Sequence, residues 1–303
     1  MRSALATLAC VAALTAGLAA SPALAKSKPK APETPAAPAA PPPPAGPTDA
    51  DWRTPDPQNV LVIDTTKGRI IVELAPAAAP RHVERMRELA RAGFYNGLSF
   101  FRVLEGFMDQ TGDPKNDGTG QSDKPNLQGE FTFRRGADTP LVVVDKVNGL
   151  EWGYLGSLPV FSQTMDLAVL TADHRVNAWG VFCPGVVGAA RADDPNSANS
   201  QFFLMRDATH SLDKLYTAYG AVISGEDVAR AIKSGPSPTG VVAEPRDKMT
   251  SVRVLADIPE AERPKVRVLD PRGPWFRVLA DRARKEKVIE FGVCDVSLIA
   301  DVK

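Results

Sequence analysis

Arg102 stands inside a run of alternating apolar residues, LSFFRVL over 98–104, and is followed by Gly106, Phe107, Met108 and Gln110. An unpaired charge buried in such a strand is costly, so the guanidinium either has a partner or lines a cleft. Glu105, the nearest acid in sequence, is placed to damp its charge. On a strand of period two, Phe100, Arg102 and Leu104 share a face, and after the Glu105-Gly106 break Phe107 and Met108 fall on opposite faces of a second short strand. The group so assembled is a permanent cation, an amide and several apolar side chains. Such a set can donate hydrogen bonds to developing electron density without transferring a proton.

A second stretch supplies matching chemistry. Residues 195–206, PNSANSQFFLMR, give turn-forming residues and then a strand on which Gln201 and Phe203 alternate to one side. Together, FFRVLEGFMDQTGD and NSANSQFFLM resemble the two signature segments of the cyclophilins, the peptidyl-prolyl cis/trans isomerases. The resemblance runs from about Asn59 to Asp257, interrupted by an insertion over about 130–182.

The resemblance implies a mainly β fold, a closed eight-stranded antiparallel barrel with flanking helices, where periodicity alone gives only a β-rich domain. It implies rotation about X-Pro bonds in proline-containing polypeptides, with no cofactor and no metal. Arg102 becomes the catalytic residue; Phe107, Met108, Phe203 and Leu212 seat the proline ring, and Gln110 and Gln201 hold backbone groups. Ala189 stands where many members carry methionine, and Ala190 beside it joins the groove. The family's indole on the turn before the next strand is replaced by Ser211, ahead of Leu212, which puts tight cyclosporin binding in doubt; a common histidine is Tyr216. A different class of function remains open on the same groove, a proline-peptide-binding chaperone without catalysis.

Elements that would hold these residues are legible nearby. Val60–Asp64 and Arg69–Leu74 flank Lys67-Gly68 as a hairpin, and Pro80–Ala92 carries Val83, Met86, Leu89 and Ala90 at helical spacing. His82 reads as a surface residue on that helix. In the loop 112–129, Asp113 and Asp117 read as turn formers and Gly118-Thr119-Gly120 as a match to the family's groove loop. Further strands are expected at Val186–Ala190, Gln201–Met205, Leu215–Ser224 and Met249–Ala256, with a short helix at Glu226–Lys233.

Within the insertion, Leu141–Val144 reads as a strand, and Trp152, Tyr154, Trp179 and Phe182 argue for a folded segment covering the barrel. Asp173-His174 lacks a nucleophile in a recognisable elbow, so a satisfied or solvent-facing histidine is expected. Past the family match, 258–303 should hold an amphipathic helix over Pro274–Lys287, with Trp275, Val278, Leu279 and Arg282 near one side, and a β-prone stretch over Val288–Ile299.

The beginning of the chain is of another kind. Arg2, the apolar run Leu5–Ala20 and Ala23-Leu24-Ala25 form a secretory leader over 1–25, which implies a periplasmic protein with no stable membrane insertion after cleavage. Residues 26–57, rich in Pro and Ala, read as an extended tether. Lys plus Arg and Asp plus Glu balance at 36 each, with no basic block beside aromatics, which disfavours nucleic acid as a partner. Only Cys183 and Cys294 survive leader removal; they are either a disulfide or two buried thiols.

Overall fold

The structure is a computed structural model in which residues 46–287 and 291–303 are described. The expected leader, and the tether as far as residue 45, lie outside the described residues.

The remainder of the expected tether is folded. Trp52–Arg53 form strand β1, and Asp51 is buried with its carboxylate accepting from the Trp275 amide at 2.7 Å. The hairpin forms as β2, Val60–Thr65, and β3, Gly68–Leu74. Helix α1, Pro80–Arg91, starts on proline at its first turn, buries Val83, Met86, Leu89 and Ala90, and is followed by Gly93, whose amide donates to the Ala90 carbonyl. His82 is buried on this helix rather than at the surface. Its Nδ1 lies 2.7 Å from Glu130 Oε2, and that carboxylate also accepts from the amides of Arg81 and His82 at the helix start through its two oxygens. A carboxylate at a helix N-terminus satisfies donors that the helix cannot pair internally.

Strands β4, Arg102–Leu104, and β5, Met108–Thr111, come from the first signature. Residues 133–180 then contribute β6 (Phe133–Arg135), β7 (Leu141–Val147), β8 (Leu150–Leu155), β9 (Leu158–Gln163) and β10 (Val176–Gly180). After them come β11 (Val186–Ala189), β12 (Phe202–Met205), β13 (Ala218–Ser224), the one-turn helix α2 (Glu226–Arg230) and β14 (Met249–Val254). The β13 strand starts three residues later than its apolar alternation suggests, because Leu215 is exposed in a turn.

Eight strands form one sheet in the order β14-β2-β3-β13-β11-β12-β5-β4. It is curled but not closed by a ladder: the end strands β4 and β14 are not neighbours, and isolated bridges Ser99↔Lys248 and Arg102↔Val241 flank the gap. The expected closed barrel is therefore an open, curled sheet with its edges joined by loop backbone. One core lies between this sheet and α1, including Ile63, Ile70, Met86, Phe100, Phe202 and Leu204.

Strands β6 to β10 form a second sheet, in the order β6-β10-β9-β8-β7. Gly180 on β10 lets it approach β13, since a Cβ there would meet the Ala218 methyl at 2.6 Å. The residues after β14 add β15 (Val266–Leu269), α3 (Pro274–Glu286) and β16 (Ala300–Val302), and a third sheet runs β1-β15-β16. On α3 the buried positions are Phe276 and Ala280, rather than the side centred on Trp275 and Arg282; of the β-prone stretch, 288–290 lie outside the described residues and 291–299 form no strand.

Tyr154 on β8 packs edge-on against Phe276, and its hydroxyl donates to the Val296 carbonyl at 2.5 Å. Cys183 and Cys294 are joined as a disulfide, with Cα atoms 5.1 Å apart. Strands β8, β9 and β10 thus share one core with β15 and α3.

Candidate functional site

Residues from four strands meet in one transverse rank. Arg102 on β4 is paired with Gln110 on β5, Gln110 with Phe203 on β12, and Phe203 with Gly188 on β11. Residues at one rank of an antiparallel sheet project to the same face. Gly188 is required there: a Cβ would lie 2.4 Å from the Phe203 ring, so its absence lets that ring lie flat over β11.

Arg102 is half-buried and makes no ion pair among the described residues. Its Nε donates to the Thr239 carbonyl at 3.1 Å and its Nη1 to Gln110 Oε1 at 3.2 Å, while Met108 Sδ lies 4.0 Å from Nη1. Burial lowers its pKa and the nearby Tyr216 phenol opposes that shift; a guanidinium stays charged regardless. Gln110 Nε2 donates onward to Gln201 Oε1 at 2.9 Å, and Gln201 Nε2 donates to the carbonyls of Gly118 and Gly120 at 3.1 and 2.8 Å. The cation, two amides and the glycine loop are one directed chain of hydrogen bonds.

The apolar members come together as expected. Met108 and Phe203 are buried in the same cluster against which Phe107, Leu212, Tyr216 and Ala190 pack half-exposed. Phe203 stacks on Phe182 at 5.8 Å and meets Tyr216 edge-on at 6.1 Å. Phe107 stands one residue ahead of β5, so it joins Met108 in this cluster instead of turning to the opposite face. Phe100 does not share the Arg102 face either; it precedes β4 and is buried in the other core. Of the alanine pair, Ala189 is interior and Ala190 borders the cleft.

Glu105 does not damp Arg102. It accepts from Arg206 Nη1 at 2.5 Å and from Ser234 Oγ at 3.0 Å. Asp113 is a turn former, as expected, accepting from the amides of Lys115, Asp117 and Gly118. Asp173 pairs with Arg134, and His174 is solvent-facing. Arg191 was not anticipated: its guanidinium lies 4.3 Å over the Tyr216 ring, beside a polar recess of about 350 Å³ bordered by Gln110, Gly120, Ala190, Asn199 and Gln201. Nothing in its sequence neighbourhood signals that stacking.

The family model described as "Cyclophilin type peptidyl-prolyl cis-trans isomerase/CLD" matches residues 60–254. The chain is a cyclophilin-type peptidyl-prolyl cis/trans isomerase. A "Probable peptidyl-prolyl cis-trans isomerase" of Brucella suis is 33% identical over 214 residues, 67% of this cyclophilin and 85% of the relative. The same figures hold for the Brucella abortus counterpart. Among solved structures, cyclophilin AquaCyp293 from Hirschia baltica is 36% identical with a TM-score of 0.74, covering 83% of this chain and 93% of its own. That coverage reaches past the 60–254 match, so the likeness takes in parts of the cyclophilin that lie outside it.

Proposed function

We propose that this cyclophilin accelerates X-Pro rotation in exported, incompletely folded polypeptides, with Arg102 as its catalytic residue. The barrier to that rotation, about 18–20 kcal/mol, comes from amide resonance. No bond is broken, so what is needed is an environment that fits the twisted amide better than the planar one.

In this reading the proline ring rests on Phe107, Met108, Phe203 and Leu212, with Tyr216 and Ala190 closing its sides. Gln110 and Gln201 hold the backbone on either side of the bond. At the twist the prolyl nitrogen becomes pyramidal and gains a lone pair, and Arg102 donates toward it or steadies the carbonyl oxygen. Reducing the barrier by about 7 kcal/mol gives roughly a 10⁵-fold acceleration. The observation that carries the proposal is an arginine without a carboxylate partner among the described residues, hydrogen-bonded beside an aromatic shelf.

Export is supported by the leader sequence and by the Cys183–Cys294 bond, because disulfides persist in oxidising compartments. The test is prolyl isomerisation of a short peptide by the mature protein and by Arg102→Ala. Activity in the first and its loss in the second, with the fold retained, support the assignment. Equal activity in both removes Arg102 from the chemistry, and an inactive wild type that still binds unfolded chains favours a non-catalytic binder.

A further inference from the structure

Beside the proline seat lies a groove of about 650 Å³ that the isomerisation does not use. Phe161 on β9 and Trp179 on β10 form one wall, their ring centroids 6.2 Å apart, and Phe291 of the extension forms another. The side next to the seat is the turn that carries His210, Asp213 and Lys214.

Most of the charge around this groove is matched. Lys287 pairs with Asp295 at 2.6 Å and His210 with Asp213 at 3.1 Å. Lys214 is different. Its ammonium sits 4.6 Å over the Trp179 ring, and no carboxylate among the described residues pairs with it. Its backbone is also held at φ +61°, a left-handed conformation that a lysine adopts only when its surroundings impose it.

Groove and seat share a wall. Leu212 and Lys214 are two residues apart, a span of about 7 Å at most. The Asp213 carboxylate accepts from the Phe182 amide at 2.9 Å, and Phe182 stacks on Phe203. The groove is therefore within a few residues' reach of a proline seated on Phe203 and Leu212.

We propose that the groove is a second docking site for the client polypeptide, taking an extended segment near the proline that carries a carboxylate beside an apolar side chain. The inference rests on the isomerase reading above. The carboxylate would pair with Lys214, and the apolar side chain would lie against Trp179 and Phe161. A second contact on the same chain raises the effective concentration of the proline at its seat, so the gain falls on long substrates and not on short ones.

The experiment compares the mature wild type with Lys214→Glu and Trp179→Leu. The substrates are a proline tetrapeptide and two fifteen-residue peptides with a single proline, one bearing aspartates and the other lysines three to six residues to either side. Tetrapeptide turnover should stay within about twofold in both variants. For the acidic peptide, Lys214→Glu should lower kcat/KM by about tenfold, and for the basic peptide it should raise it. Trp179→Leu should weaken both long peptides.

Unchanged long-peptide turnover in both variants, with normal tetrapeptide turnover, overturns the docking site. Self-association of the wild type that Lys214→Glu abolishes, with no effect on peptides, assigns the groove to a second copy and overturns it too. A wild type inactive on the tetrapeptide strikes the isomerase reading instead, and binding of the two long peptides followed by fluorescence anisotropy then decides the groove separately.

Discussion

Arg206 Nε donates to Asp109 Oδ1 at 2.6 Å, with both side chains shut off from water behind the strand that presents Met108 and Gln110 to the cleft. Arg206 also donates to the Ala229 and Ile232 carbonyls at the end of α2, at 3.2 and 2.6 Å, so one guanidinium ties β5, β12 and α2 together. Truncating Arg206 leaves the buried Asp109 carboxyl and two buried carbonyls without their donor, at about 1–3 kcal/mol for each unsatisfied group. Arg206→Met is expected to lower stability by that order in denaturant titration, far more than removal of the cleft-lining Arg102.

The same pair makes stability depend on pH. Burial pushes the Asp109 carboxyl up to about 7, against the opposing pull of Arg206. The folded state therefore holds a proton that the unfolded chain releases near its ordinary value of 3.8. The stabilisation is fully present below that value and is lost as pH rises through about 7. At about 1.4 kcal/mol per pH unit the loss is at most about 4 kcal/mol. Urea midpoints measured from pH 4 to 8 should fall and then level, and Asp109→Asn should flatten the profile.

Arg102→Ala should reduce kcat/KM on a proline tetrapeptide by about 10²–10³-fold, the range found when one preorganised donor is removed. Its melting temperature should change little, since the side chain is half-exposed and gives up only hydrogen bonds to Thr239, Gln110 and Met108. A loss of activity that tracks a loss of folded protein would contradict the assignment.

Ser211 is exposed on the turn where the family places an indole. The wild type should bind cyclosporin weakly in calorimetry, and Ser211→Trp should tighten it by about tenfold or more, in line with the 1–3 kcal/mol that a packed aromatic adds to binding. No gain would mean that the shelf differs elsewhere.

Reducing the Cys183–Cys294 bond, or changing both residues to serine, should cost about 2–4 kcal/mol, because the bond closes a loop with a sequence separation of 111. Tetrapeptide turnover should survive, since Arg102, Gln110 and Phe203 hang on strands that the bond does not join. Parallel chemical denaturation and activity assays check both halves.

The elements that position the cleft were legible because each announces itself locally: the β2-β3 hairpin through its turn, α1 through its 3.6-residue apolar repeat, and β5 and β12 through their signature residues. What was missed is specified by distant partners. Trp52–Arg53 forms a strand only because Val268 and Leu269 stand opposite, and nothing in a proline-rich stretch foretells that. His82 lies among charged residues, yet Glu130 draws it inward across 48 positions of sequence. Arg206 lies just past the expected strand Gln201–Met205 with no local sign of burial, which follows from Asp109 and from the Ala229 and Ile232 carbonyls. The cysteines could be named but not joined, since their approach depends on how the residues after β14 pack against β8 and β9. Within the cleft, Arg102, Gln110, Gln201 and Phe203 stand together as the two motifs suggest, but only the fold shows Glu105 diverted to Arg206.

The short ladder between Trp52–Arg53 and Val268–Leu269 fastens the stretch leading into the eight-stranded sheet to the stretch leaving it. Tension applied through the residues before 49 therefore enters at β15, in the clasp shared with β16, before it reaches β2. A load from upstream would be borne by that clasp, and the surface that grips a client would be spared deformation while the chain is tugged from its leading side.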